Sequence, residues 1–201
     1  FENAFSAKND IFGKQTAGAP FNLYFPGKYD AKDGVFENVG SRSYAVVAGG
    51  TLTESLPVQA FENGIYHLCT YGPNGFFREY KGQSTHTEPI IECEYERPDK
   101  LIKKLSGNIL LKISNPDTAK AITVEIRDNA YKNKTIRKLL PAAGTRQAAE
   151  QSFILNLDKS FGWYDFSIVL DGNEHFERRY AGHVETGKES FTDPAMDTGK
   201  A

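Results

Sequence analysis

The chain of 201 residues carries a formal net charge of -2, with 24 basic and 26 acidic side chains intermixed. That balance lacks the basic face or tail of a nucleic-acid binder, and no nucleic-acid partner is expected. No apolar run approaches the roughly 18 residues that a membrane-spanning helix needs, and the length allows one large core or two of about 100 residues each.

Residues 1–19 show no sustained period and read as a lead-in arm with at most one turn of helix. The chain opens on Phe rather than Met and has no signal-peptide pattern, so it reads as a piece of a longer protein. "FNLYF" (Phe21 to Phe25) is the first predicted strand, and "PGKYDAKDG" after it is rich in Gly, Lys and Asp and reads as a loop. "RSYAVVAGG" is a strand running into a turn, and "TLTESLPV" alternates weakly through Leu52, Leu56 and Val58. In "NGIYHLCTY", Tyr66, Leu68 and Thr70 point one way and His67, Cys69 and Tyr71 the other. "GPNG" is a turn: Pro73 presets its own φ, while Asn74 and Gly75 tolerate left-handed backbone. "FFREYKG" returns as the second strand of a hairpin, and "EPIIECEYE" is another strand.

The charged stretch "RPDKLIKKLSG" (Arg97 to Gly107) reads as a connector, so the predicted organisation is an arm (1–19), a first repeat (20–100) and a second repeat (101–201). Beyond it, "NILLKIS", "AITVEIRD", "KTIRKLL" and "QSFILNL" are strands, and Ile122, Val124 and Ile126 face inward. "GTRQAAEQSF" is the one stretch to test for helix, because its Ala and Gln suit one. "GWYDFSIVL" places Tyr164, Phe166, Ile168 and Leu170 on one face; "DGN" turns the chain and "HFERRYAGHVE" returns. Strands at this spacing, separated by turns, predict an all-β protein of two tandem immunoglobulin- or fibronectin-III-like sandwiches.

The two halves share a hairpin. Phe76, Arg78, Tyr80 and Gly82 recur as Phe176, Arg178, Tyr180 and Gly182, each displaced by 100 positions. Upstream, "GIYHL" (Gly64 to Leu68) aligns with "GWYDF" (Gly162 to Phe166), and the second turn is two residues longer. Tyr66 and Tyr164 sit where the corner tyrosine of an immunoglobulin-like sandwich would be.

In F-x-R-x-Y-x-G, period two puts Phe, Arg and Tyr on one face. Such a face either lays the Arg stem along rings inside a half-buried sheet or receives a phosphate or choline-like headgroup. The duplication favours the first, since a domain's closing hairpin must be repeated whereas a site need not be. Phe76 and Phe77 follow the turn directly, and alternation sends one inward and one outward; an outward Phe at a loop tip suits a lipid interface or a partner domain. Phe76, Phe77, Arg78 and Arg178 are therefore the candidate contact residues for lipid or partner.

No catalytic set emerges. There is no G-x-S-x-G elbow and no Gly-rich phosphate loop. His183 with Glu185, and His86 with Glu88, supply two ligands each where zinc needs three or more, so neither metal nor cofactor is expected. Asp128 and Glu125 are too generic to assign. Cys69 and Cys93 fit no zinc spacing; a disulfide and separate thiols both remain open.

"GPNGFFRE", "DNAY" (Asp128 to Tyr131), "GWYDF", "YAGHVETG" (Tyr180 to Gly187) and "SFTDPAM" (Ser190 to Met196), taken in this order, resemble the C-terminal region of bacterial phosphocholine-preferring phospholipases C of the non-haemolytic and haemolytic type. The resemblance covers about Pro20 to Met196. It implies a small domain in two copies, auxiliary to a large N-terminal phosphoesterase domain that holds a metal-assisted centre with a nucleophilic Thr. No motif of that centre matches here, so no catalytic residue carries over. It also implies export. The duplicated hairpin, the aromatic-rich turn and the missing catalytic set lead to the expectation that the chain braces the catalytic domain and, secondarily, helps it engage a phospholipid surface. The alternative is a free-standing adhesion or carbohydrate-binding sandwich.

Overall fold

The computed structural model describes residues 2–8, 13–32, 34–98, 104–145 and 148–196. Among these the chain is all-β, with antiparallel strands and only short 3-10 turns besides, in the manner of a β-sandwich. No helix among them is long and apolar enough to cross a membrane. The chain divides into two compact units: residues 1–86 with 175–179, and residues 87–174 with 180–201.

In the first unit, β1 (Glu2–Ser6), β2 (Ala19–Phe25), β3 (Tyr29–Lys32), β4 (Val35–Glu37), β5 (Gly40–Val46), β6 (Thr51–Ser55), β7 (Ile65–Tyr71) and β8 (Phe77–Gln83) follow in chain order. β2 lies between β5 and β7, and β7 pairs with β8. The segment 175–179 lies beside β8. Along β2 the sequence alternates, burying Phe21, Leu23 and Phe25 and turning Asn22 and Tyr24 outward.

The expected lead-in arm contains a strand. β1 pairs with β6, with Phe5 opposite Leu52. Phe5 is buried and stacks on Tyr44, 4.9 Å between ring centres, and meets Phe21 at 5.3 Å. One ring inserted into the core is worth about 1.5–3 kcal/mol, which holds a segment that has no period of its own. The expected loop at "PGKYDAKDG" also forms structure, the β3–β4 hairpin. Both carboxylate oxygens of Asp30 accept from the Gly34 backbone N–H at 3.1 Å, which closes its turn.

In the second unit, β9 (Ile90–Tyr95), β10 (Ile109–Ser114) and β13 (Glu150–Leu155) form one sheet, with β10 central. β11 (Ile122–Asp128) lies between β12 (Ile136–Leu140) and β14 (Trp163–Leu170), and β14 is followed by β15 (Asn173–His183). Ile109, Leu111 and Ile113 alternate into the core with Val124, Ile126, Tyr164, Phe166 and Ile168. The stretch tested for helix, Gly144 to Phe153, runs instead into β13 from Glu150; its Arg146 and Gln147 lie outside the described residues, as do 99–103 of the expected connector. Cross-strand pairing of Gln151, Ser152 and Phe153 with β10 outweighs the weak helix preference of Ala and Gln.

Candidate functional site

The β7–β8 hairpin carries three of the four candidate residues. Its turn forms as the sequence predicts: Asn74 and Gly75 have φ of 55° and 72°, and the Gly72 and Phe76 backbones close the loop with an N–H to O bond of 2.9 Å. The turn sets the register, so Tyr71 faces Phe77, Cys69 faces Glu79 and His67 faces Lys81. Two faces of different character follow.

The inner face takes Tyr66, Leu68 and Thr70 from β7, all buried. Phe76 turns to this side, meeting Phe21 edge-on at 5.7 Å and packing on the core. Arg78 is half-buried; its guanidinium lies 4.2 Å over the Phe76 ring and donates to the Phe77 carbonyl at 2.8 Å. Arg178 is only 6% exposed. Its Nη1 donates to the Lys81 and Glu177 carbonyls and its Nη2 to the Tyr66 hydroxyl. The Phe176 ring lies 4.5 Å from its guanidinium carbon and the Tyr66 ring 5.4 Å. The buried-face reading of F-x-R-x-Y-x-G thus describes Arg178, while Arg78 keeps a partly open position.

The outer face takes His67, Cys69 and Tyr71 from β7 and Phe77, Glu79 and Lys81 from β8. Phe77 meets Tyr71 at 4.9 Å, and Tyr71 meets Tyr24 at 5.5 Å edge-on. Arg179 lies 5.4 Å over Phe77. Tyr24 and Tyr71, exposed by 39% and 47%, line an open groove with Pro26, Val39 and Cys69. Beside it is a polar cluster that the sequence reading missed. His67 Nε2 is 2.7 Å from Glu79 Oε1 and 3.5 Å from Cys69 Sγ. Lys81 Nζ bridges Glu79 Oε1 at 3.0 Å and Glu177 Oε2 at 2.8 Å. Burial opposes the charge on Lys81, but the bonds to Glu177 and Glu79 outweigh it and hold its pKa above the ordinary value. The signal for this cluster was present: His67 and Cys69 share a strand face, and a turn centred on Asn74 places Glu79 opposite Cys69.

Burial, with the nearby Glu79 charge, pushes the Cys69 thiol from an ordinary 9.0 to about 11. Neither cysteine is in a disulfide. A raised thiol pKa stabilises the fold fully below about pH 9 and loses that contribution as pH rises towards about 11. At pH 8 in metal-free buffer, the folded thiolate fraction is roughly 100-fold below that of an ordinary thiol. Mass-mapped iodoacetamide labelling of Cys69 is expected to be slower in the native chain than in urea by at least that factor. Equal rates would contradict the buried, Glu79-facing position.

The pairs considered for metal are otherwise engaged. His183 Nδ1 lies 3.2 Å from Glu185 and Nε2 3.1 Å from the Phe161 carbonyl, and Trp163 packs on the ring. His86 meets Thr85 at an exposed turn. Asp128 organises its loop, accepting from the Ala130 and Tyr131 N–H groups and from Asn133, while Glu125 pairs with Arg127 and Arg137.

A family described as bacterial phospholipase C, C-terminal domain, matches residues 3–83 and 89–183. A non-hemolytic phospholipase C of Pseudomonas aeruginosa is 31% identical over 92% of this chain and 27% of its own length. A hemolytic phospholipase C of the same organism is 33% identical over 74% of this chain and 20% of its own length. A non-hemolytic phospholipase C of Burkholderia pseudomallei is 30% identical over 92% of this chain and 29% of its own length. The chain spans less than a third of the length of each of these relatives.

Proposed function

The chain belongs to the bacterial phospholipase C C-terminal domain family, and from that premise we propose that it is the non-catalytic C-terminal region of an exported phospholipase C acting on phosphatidylcholine-type phosphodiesters. The observation that carries this reading is the family match along both halves of the chain, in relatives most of whose length lies outside the matched region. In this reading the chain is two copies of one immunoglobulin- or fibronectin-III-like unit. The F-x-R-x-Y-x-G hairpin, present once in each matched segment, supports the duplication.

Its primary role is to brace the N-terminal phosphoesterase domain, and its secondary role is to engage the lipid surface through the outer face of the β7–β8 hairpin. Phe77 with Tyr71 and Tyr24 supplies apolar surface there, and Arg179 over Phe77 supplies a cation suited to phosphate. Glycan binding is the less favoured use of these rings, because Tyr24 and Tyr71 meet at 87° and offer no flat platform.

Bracing is tested in the full-length enzyme. Deleting this region is expected to shorten the half-life of activity on heating, and an unchanged half-life would remove the role. Lipid engagement is tested by co-sedimentation of the chain with phosphatidylcholine vesicles. Phe77→Ala is expected to stay folded and pellet less. Phe76→Ala is expected to lose roughly 1–3 kcal/mol of stability, because its half-buried ring leaves a gap against Phe21. A wild-type chain that stays in the supernatant would leave bracing alone.

A further inference from the structure

We propose that His67, Cys69 and Glu79 form a binding site for one zinc-like divalent ion on the outer face of the β7–β8 hairpin. The Nε2, Sγ and carboxylate oxygen all lie within 4.8 Å of one another, the one such group among the described residues. Their separations are close to those of a coordinated set. Metal–ligand distances of about 2.3 Å for sulfur and about 2.0–2.1 Å for nitrogen, at a tetrahedral angle, require S and N about 3.5–3.6 Å apart. The observed separation of Cys69 Sγ and His67 Nε2 is 3.5 Å. The same geometry asks for about 3.4 Å between nitrogen and oxygen. Glu79 Oε1, now 2.7 Å from His67 Nε2, reaches that by a small swing of its side chain.

The backbone holds this set before any ion arrives. His67 and Cys69 are alternate residues of one strand, and Glu79 is the direct cross-strand partner of Cys69. Few side-chain rotations remain to be frozen, which favours binding. The His67 side chain is 29% exposed and leaves a path for the ion and room for water as a fourth ligand.

The donor set selects the chemistry. Sulfur and imidazole suit zinc and its neighbours, whereas Mg2+ and Ca2+ prefer oxygen alone. The charges also close. Thiolate and carboxylate neutralise a divalent ion, and Lys81, released from Glu79, keeps its bond to Glu177. Binding expels the thiol proton to solvent, so affinity weakens as pH falls.

The test uses the full chain, stripped with chelator, titrated with Co2+ as spectroscopic probe and then with Zn2+. One equivalent of Co2+ is expected to give a four-coordinate ligand-field spectrum with a thiolate-to-metal charge-transfer band, and Zn2+ is expected to displace it. A Zn2+ Kd of roughly 10 µM or tighter is expected, with at least about a 100-fold loss in Cys69→Ser and in His67→Gln. Cys93→Ser is expected to leave both band and affinity unchanged. Circular dichroism checks that the variants fold; should Cys69→Ser unfold, the half-exposed His67→Gln decides. Saturable thiolate binding that survives His67→Gln in the folded chain, a band that disappears with Cys93 instead of Cys69, or no one-equivalent binding would each overturn the site.

Discussion

Replacing Arg178 by Ala is expected to cost about 3–5 kcal/mol of stability, the range for breaking a buried polar network and leaving a void. The guanidinium is the shared donor for the Tyr66 hydroxyl and for the Lys81 and Glu177 carbonyls, inside a wall made by Phe176 and Tyr66. Alanine deprives those oxygens of this donor and leaves a void beside two rings. Arg178→Lys retains a charge but not the planar fork, and is expected to recover less than half of the loss. Arg78→Ala removes the corresponding residue of the first F-x-R-x-Y-x-G motif. Arg78 is half-buried and donates to the carbonyl of its neighbour Phe77, and the expected cost is about 1 kcal/mol. Urea unfolding of the three variants decides the matter. Equal midpoints for Arg178→Ala and Arg78→Ala would refute the assignment of different roles to the two motif arginines.

Asn115→Ala is the second large effect, expected at about 2–4 kcal/mol because three backbone groups lose a buried partner at once. Asn115 is 2% exposed and follows β10 directly. Its Nδ2 donates to the Lys120 carbonyl at 2.8 Å and to the Pro141 carbonyl at 2.9 Å, and its Oδ1 accepts from the Asp117 N–H at 3.0 Å. One amide thereby ties the loop entering β11 to the segment leaving β12. Asn115→Asp is expected to fare no better, since a carboxylate has no proton for the two carbonyls. Hydrogen exchange should show the amides of 115–120 losing protection first. Unchanged exchange in a destabilised Asn115→Ala would place the loss elsewhere.

Much of the β7–β8 hairpin is legible without coordinates. The Pro73-Asn74-Gly75 turn is local chemistry, and period-two alternation assigns Tyr66 and Leu68 to one face and His67 and Cys69 to the other. The same holds for "GWYDFSIVL", where Tyr164, Phe166, Ile168 and Leu170 are all buried as the alternation requires. Turn residues and alternation act over a few residues, so they leave their mark in the order of the chain. The pairing of β1 with β6 leaves none. About fifty residues separate Phe5 from Leu52, and nothing in "ENAFS" announces a partner that far away. Nor does "EPIIECEYE" reveal that β9 pairs with β10 across the charged stretch between them.

The repeated F-x-R-x-Y-x-G shows where local information ends. The motif itself, its 100-residue displacement and the shared face of Phe, Arg and Tyr are properties of the sequence alone. So are the all-β class and the family to which the chain belongs. That Arg178 is sealed under Tyr66 while Arg78 stays half-open is decided by tertiary structure, because burial depends on which distant residues cover a side chain. The same reason governs His67, Cys69 and Glu79. Each is unremarkable in its own stretch, and only the folding of β8 back onto β7 brings an imidazole, a thiol and a carboxylate within reach of one ion.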